Sequence, residues 1–312
     1  KGSVKIPKSF EESELMDKDG NKIPLQKMDN GVFAYVELDA LSFNNFKKGE
    51  SIGHDIQDNE GLLLENELVR YEFDDYGTLV SAFDKELQKE FMVDHGNVLS
   101  LYEDRPNNWD AWDVDFFYRD ALIETATVTK VCSHSRGSVV QQLRFMLSIG
   151  NSKIDQTIRL HPHSKRLDFM TYVDWMESHK MLRVHFPVNV RSEQASFDIQ
   201  YGHVKRNTHR NTSWDKAKFE VVGHKYADLS DHDNGIALLN DCKYGYMVHD
   251  NILDLNLLRS TSNPDPDADR GTHTFTYSLL PHQNDLIHSS VLPESSCLNQ
   301  EPLLFEGMVS GI

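Results

Sequence analysis

Tryptophan and aspartate are concentrated in one short run of the 312-residue sequence, at positions 107–115. Three Asp and two Trp occupy the seven positions from Trp109 to Asp115. Carboxylates accept hydrogen bonds from sugar hydroxyls and indole rings stack on the C–H faces of sugars, so this composition suits a carbohydrate site. The alternative is a surface loop in which Trp109 and Trp112 are core anchors and the carboxylates are solvated or capping. The residue types alone leave both interpretations open.

A second cluster of charged residues lies at positions 264–273. Two prolines stiffen its backbone, and Arg270 is a permanent cation beside the carboxylates of Asp265, Asp267 and Asp269. A guanidinium can fork onto one of these carboxylates or onto a ligand oxygen. The alternative is an acidic surface loop that one Arg neutralises.

A third segment, residues 205–215, is rich in hydrogen-bond donors and has no apolar anchor before Trp214. We interpret it as a loop. His209 in this loop is either a ligand-binding residue or a residue that satisfies backbone atoms, and the spacing supports both equally.

The sequence predicts no metal site. The segment from Asp17 to Asn21 resembles the opening of a calcium loop, but its glycine comes two positions too early and Met28 stands where a bidentate Glu is needed. It is predicted to be a hairpin turn. His161 and His163 flank a proline with no third ligand nearby in sequence. Phosphate-binding loops, dinucleotide glycine motifs and metalloprotease helices are absent from the sequence.

The elements that must position these loops are predicted to be β-strands. Leu143, Phe145, Leu147 and Ile149 alternate with polar residues, and this period of two is typical of a strand with one buried face. The same pattern recurs at 69–73, 78–83, 154–160 and 167–173, and short apolar runs follow at 236–239, 252–258 and 275–280. We therefore expect an all-β protein with two or more large antiparallel sheets packed face to face and little helix.

A boundary is predicted at residues 48–60, which contain few aliphatic side chains among charges and glycines. Residues 1–58 are then a small N-terminal β module, with an apolar strand from Val32 to Leu38, and residues 59–312 are the main domain. The module is too small to hold a core of its own, so we expect it to pack against another part of the protein.

Composition limits the partners. The sequence has 49 acidic and 32 basic residues and a net charge of −17, which repels nucleic acid and anionic lipid surfaces.

No apolar stretch is long enough to cross a bilayer, and the first residues lack the apolar core of a signal peptide. Cys132, Cys242 and Cys297 are few and widely spaced, which favours reduced thiols and a cytoplasmic location. Homo-oligomerisation stays open.

The order of the motifs resembles the C-terminal region of glycoside hydrolase family 38, in the subgroup of bacterial and cytosolic or vacuolar α-mannosidases. The resemblance covers residues 60 to about 290 strongly and 1–47 more loosely. It is carried by the tryptophan–aspartate run WDAWDVD and by four further segments, at 62–86, 174–188, 209–246 and 265–282.

This resemblance implies a galactose-mutarotase-like β supersandwich that packs against an N-terminal catalytic barrel. Family members hydrolyse α-mannosides with retention, through an aspartate that also ligates a divalent metal, usually zinc. The barrel motifs that supply these residues do not occur in this sequence. The implied function is therefore a part of an α-mannosidase that is inactive alone, contains no catalytic residue or cofactor of its own, and contacts the missing barrel and a mannose-containing oligosaccharide.

Candidate site residues follow from matching positions only. Arg270 and Asp269 match a family loop at the interface between the domains, close to the active-site pocket. Asp110, Trp112 and Asp113 match a segment that approaches the sugar from the β side. His209 lies in another matching segment and completes the set of predicted substrate-binding residues.

Two further functions remain open. The tryptophan–aspartate run would also suit a free-standing carbohydrate-binding module. An aldose 1-epimerase would share the fold and needs only acid–base His and Glu. The order of the α-mannosidase segments favours the first hypothesis over both.

Overall fold

Most of the regular structure is β-strand. A computed structural model of the protein describes residues 2–11, 13–28, 31–39, 42, 44–49, 57–58, 61–300 and 302–307. In chain order the strands are β1 (Gly2–Lys5), β2 (Leu15–Met16), β3 (Lys22–Ile23), β4 (Leu25–Met28), β5 (Gly31–Val36), β6 (Lys47–Lys48), β7 (Gln57–Asp58), β8 (Leu63–Glu65), β9 (Val69–Phe73), β10 (Leu79–Asp84), β11 (Lys89–Glu90), β12 (Val98–Glu103), β13 (Leu122–Thr125), β14 (Thr127–Arg136), β15 (Gln141–Ile149), β16 (Ser152–Leu160), β17 (Leu167–Trp175), β18 (Lys180–Pro187), β19 (Gln194–Ile199), β20 (Gly202–Asn207), β21 (Val221–Val222), β22 (Tyr226–Ser230), β23 (Asn234–Asn240), β24 (Gly245–His249), β25 (Ile252–Ser260) and β26 (Gly271–Gln283).

Helix is minor, as expected. The helices are α1 (Ser213–Ala217), α2 (Val291–Asn299) and short 3-10 helices at Lys8–Phe10, Phe116–Asp120 and Leu286–His288. Among the described residues, no helix has the length and apolar composition that crossing a membrane requires.

The segments predicted from the period-two pattern are strands, but further strands, among them β12, β14, β18, β19 and β22, were not predicted. In β15 the side chains of Leu143, Phe145, Leu147 and Ile149 are buried on one face. β16 pairs with β15, and β17 pairs with β16, as an antiparallel meander. The later apolar runs lie inside β23, β25 and β26. The turn at 74–77 also forms, because the Asp74 carboxylate accepts hydrogen bonds from the backbone two and four residues ahead.

Two large sheets form the body of the protein. One has the strand order β20-β19-β22-β23-β26-β17-β16-β15-β14-β7, and the other has the order β13-β12-β18-β25-β24-β21. They pack face to face, since the ring of Phe186 on β18 lies 5.7 Å from that of Phe169 on β17 and 6.3 Å from that of Tyr277 on β26. A smaller sheet, β11-β10-β9-β8, adds Tyr71 and Phe73 to the same buried cluster. The all-β fold class is confirmed.

The N-terminal module holds a small apolar cluster, contrary to the expectation that it could not. Ile6, Leu15, Val32, Ala34 and Val36 are buried together where the sheets β1-β5-β4 and β3-β2-β6 meet. The predicted hairpin turn at 17–21 joins β2 to β3. The expectation rested on the small size of the module, and the cluster forms because two very short sheets share it.

The module also packs on the main domain, through a second cluster. Met28, Phe33 and Tyr35 are buried against Val139 and Val140, which lie in the turn between β14 and β15.

Gln26 makes the polar part of this contact. Its side-chain oxygen accepts from the Val139 and Val140 amides at 3.0 and 2.8 Å, and its nitrogen donates to the Val140 carbonyl at 3.0 Å. The side chain is 1% exposed, and Gly137 packs so closely that a Cβ there would lie 2.2 Å from the Gln26 amide carbon. Gln26 therefore satisfies three backbone groups that water cannot reach.

The substitution Gln26→Ala should lower the free energy of unfolding by about 2 kcal/mol, because it leaves these buried backbone groups without partners. Urea unfolding measures the change. Lys27→Ala is the matched control, since Lys27 is exposed on the opposite face of the same strand. Equal stability of the two variants would contradict the role given to Gln26.

Candidate functional site

The tryptophan–aspartate run lies in the long connection between β12 and β13, and its tip is a tight turn. The Trp109 carbonyl accepts from the amides of Trp112 and Asp113 at 2.7 and 2.9 Å, and Trp109 itself has a φ of +58°. Trp109 and Trp112 are each 69% exposed. The alternative in which these rings anchor the core is therefore wrong, and the two rings are available at the surface.

Asp110 joins this loop to the one between β25 and β26. Its carboxylate accepts from the backbone amides of Ser262 and Asn263 at 2.8 and 3.0 Å, and His179 lies 3.8 Å away. Burial would raise the pKa of Asp110, but these hydrogen bonds and His179 hold it below its usual value. The carboxylate thus stabilises the junction above the ordinary aspartate pKa, and this contribution is lost as the pH falls through the lowered value.

Arg259 fastens the base of the same loop. Its guanidinium contacts the buried carboxylate of Asp104 and donates to the backbone carbonyl of Asp113. Sequence reasoning missed both Arg259 and Asp104. The two residues are 155 positions apart in the sequence, so no local pattern predicts that they pair. The one available signal is that each lies a few residues from a candidate loop.

Arg270 pairs with one carboxylate of its own loop. Its Nη1 lies 3.3 Å from the Asp267 carboxylate, and 44% of its side chain remains exposed. Asp269 and Gly271 on either side have positive φ values, +59° and +127°, so the backbone turns sharply here. His273 on β26 holds this turn through the Asp269 carbonyl, 2.7 Å from its Nε2. The guanidinium is presented outward with capacity for a further acceptor.

A cavity of about 210 Å³ opens between this loop and β24 and β25. Its lining includes Lys243, Tyr244, Asn256, Arg259, Asp269 and His273. The side-chain Oδ1 of Asn256 is buried without a partner in the described part of the chain. Burial also lowers the pKa of Lys243, whose ammonium lies 4.5 Å from the Phe275 ring centroid. Donors, acceptors and an exposed tyrosine ring are thus gathered in one small space.

His209 lies apart from these contacts. Its Nδ1 is 3.6 Å from the Asp215 carboxylate, which together with Thr212 forms the N-terminal cap of α1. Lys216 on this helix lies 5.2 Å from the ring centroid of Phe116, at the far end of the tryptophan–aspartate loop. No described contact joins His209 to Asp110 or Arg270, so the structure brings together two of the three predicted loops at the junction.

The described residues contain no group of three or more His, Cys, Asp or Glu arranged to hold a metal ion. His161 instead lies 3.1 Å from the Val139 carbonyl, and His163 contacts Glu67. A metal of the kind the resemblance implies does not fit the donor groups described here.

Comparison with known proteins identifies relatives. The family model "Glycosyl hydrolases family 38 C-terminal domain" matches residues 64–267, which include the tryptophan–aspartate loop and end just before Arg270. Alpha-mannosidase G of Dictyostelium discoideum is 42% identical over 76% of this chain and 22% of its own length. Alpha-mannosidase 2C1 of Homo sapiens is 41% identical over 78% of this chain and 24% of its own length. The chain thus spans less than a quarter of the curated relatives it matches.

A solved structure shares the fold. An alpha-mannosidase from Enterococcus faecalis V583 superposes with a TM-score of 0.70 and 14% sequence identity, covering 92% of this chain and 40% of that one. At that identity the likeness concerns the fold.

Replacing Asp110 with Ala should release the junction between the two loops. The amides of Ser262 and Asn263 lose their acceptor, so their hydrogen exchange should accelerate about tenfold or more. Mass-spectrometric or NMR hydrogen exchange measures this. Asp113→Ala is the control, because Arg259 contacts the Asp113 backbone carbonyl and the Asp113 side chain is exposed. Unchanged exchange in Asp110→Ala would show that the carboxylate does not hold the loops together.

Proposed function

The chain belongs to glycoside hydrolase family 38, and on that premise we propose that it is the C-terminal part of an α-mannosidase. In the full-length enzyme it forms one wall of the sugar-binding pocket and supports the catalytic domain. The full-length enzyme hydrolyses α-mannosides with retention, and the partners of this chain are that domain and a mannose-containing oligosaccharide.

The observation that carries this proposal is the outward surface of the two joined loops. Trp109 and Trp112 expose most of their rings, and Arg270 exposes its guanidinium. The loops beneath these exposed groups are held by two contacts, that of Asp110 with the Ser262 amide and that of Arg259 with Asp104. The exposed groups are therefore carried on a fixed backbone. Rings and charged groups held in this way suit a ligand with hydroxyls and C–H faces.

The division of labour follows from the side chains available. We place the divalent metal expected for the family in the catalytic domain. What this chain contributes is binding: aromatic faces, the carboxylate of Asp113 and the cation of Arg270.

We also propose a cytoplasmic location. Three cysteines without disulfide partners support it.

In the full-length enzyme, Arg270→Ala should lower kcat/KM for an aryl α-mannoside about tenfold to a hundredfold, the worth of one charge-assisted hydrogen bond to the substrate. Steady-state kinetics measure the effect. The melting temperature should not change, because the Arg270 side chain is 44% exposed and the carboxylate it pairs with, that of Asp267, is 75% exposed. Asp113→Asn should act in the same direction.

Arg70→Ala in the same enzyme is the matched control, since this arginine is also exposed and ion-paired but lies on β9. If both Arg270→Ala and Asp113→Asn have the kcat/KM of the unsubstituted enzyme, the two loops do not bind substrate and their role is structural.

The 312-residue chain by itself should not hydrolyse an aryl α-mannoside above the buffer rate, even with zinc added, because it contributes binding groups without the nucleophile. A chromogenic assay tests this, and robust turnover would refute it. Calorimetric titration of the same chain with mannose tests one of the two alternatives, the free-standing carbohydrate-binding module. Millimolar or tighter binding would favour a free-standing carbohydrate-binding module.

A further inference from the structure

The cavity beside β24, β25 and the first residues of β26 is large enough for one sugar ring. Its volume is about 210 Å³, and apolar cavities of about 150 Å³ take up benzene. Two residues of its wall, Tyr244 and Asp269, are exposed, Tyr244 to 54%. A ligand therefore reaches this space, called here the Tyr244 cavity, from solvent.

Tyr244 gives the cavity an aromatic surface that is held in place. It lies in the turn between β23 and β24, and its ring centroid is 5.5 Å from that of His224 at an interplanar angle of 71°. The His224 backbone is itself fixed, because its amide donates to the Asp198 carbonyl at 3.0 Å and its carbonyl accepts from Asn240 at 2.8 Å. The exposed part of the Tyr244 ring can stack on the C–H face of a sugar.

Lys243 and Asp269 add a donor and an acceptor to the same wall. The Lys243 ammonium lies 4.5 Å from the Phe275 ring centroid. Burial lowers the pKa of Lys243, and the nearby Asp269 carboxylate opposes this shift. The Asp269 backbone is held through its carbonyl, 2.7 Å from the Nε2 of His273. Both charged groups are thus carried on positions that the fold restrains.

Arg259 supplies a further donor. Its Nε and Nη2 contact Asp104 and the Asp113 carbonyl, and its Nη1 takes no part in these contacts. A free anion in the cavity would meet the Asp269 carboxylate, and a free cation would meet Lys243 and Arg259. A hydroxyl donates and accepts, so a ligand with several hydroxyls pairs with both kinds of group.

We propose that the Tyr244 cavity binds one sugar unit of the oligosaccharide, with the sugar ring stacked on Tyr244 and its hydroxyls bonded to Lys243 and Asp269. The inference rests on the proposed function and adds a binding site to the exposed groups of the two loops. Asp269 adjoins Arg270 in the sequence, so the cavity borders the loop that presents the guanidinium.

The test is steady-state release of mannose by the full-length enzyme from an aryl α-mannoside and from an aryl α-mannobioside. Tyr244→Ala should raise the KM for the mannobioside about tenfold, because the stacking surface is lost. The kcat should change by less than about twofold, since this contact is made equally in the ground state and the transition state. Tyr244→Phe keeps the ring and should retain the original KM.

Lys243→Met removes the ammonium but keeps an unbranched side chain beside Phe275, and it should also raise the KM about tenfold. Tyr76→Ala is the matched control. This tyrosine is also exposed, but it lies in the turn between β9 and β10, so the KM for both substrates should stay unchanged. The melting temperature of each variant checks the fold.

A raised KM for the mannobioside alone places its second sugar in the Tyr244 cavity, and a raised KM for both substrates places there the sugar that they share. Unchanged KM values in Tyr244→Ala would overturn the inference, and so would a Tyr244→Phe enzyme as impaired as Tyr244→Ala. Arg270→Ala, measured in parallel, tests the proposed function. If Arg270→Ala lowers kcat/KM while Tyr244→Ala changes nothing, the proposed function stands and this inference alone fails.

Discussion

The charge of Arg183 determines what must cover the outer face of the six-stranded sheet. A guanidinium removed from water at the middle of a sheet is tolerated only when carboxylates are placed against it. Asp254 comes from the neighbouring strand, but Glu220 comes from the segment after α1 and is held by Tyr118. Two loops that are distant in sequence must therefore fold back over the sheet to neutralise one side chain.

Arg259 imposes a similar requirement at the other end of the tryptophan–aspartate loop. It joins β25 to Asp104 and to the backbone of Asp113, while Tyr118 ties the end of the loop to the buried network. Both ends are thus secured by charged hydrogen bonds, and the tip with Trp109 and Trp112 is left outside. When exposed aromatic rings stand on a rigid base, the loop that carries them loses less conformational entropy on binding a ligand.

Much of the fold could be predicted from local sequence. The strands around Leu143 to Ile149 and the turn at Asp74 follow from alternation and side-chain preference, which act over a few residues. The core of the N-terminal module escaped prediction because Leu15 and Val36 come from different short sheets. The candidate loops were found by composition, but the surface position of the two indoles was not, since Trp suits a core and a binding surface equally.

The sequence by itself determined many of the strands, several of the turns between them and the family, because each depends on residues that are near one another along the chain or in a recognisable order. Only the tertiary structure decided which charges meet. Arg183 could have paired with any of 49 acidic residues, and Arg259 reaches its partner across 155 positions. Ion pairing depends on distance in space, and a pattern of one-dimensional spacing does not encode that distance before the sheets have packed.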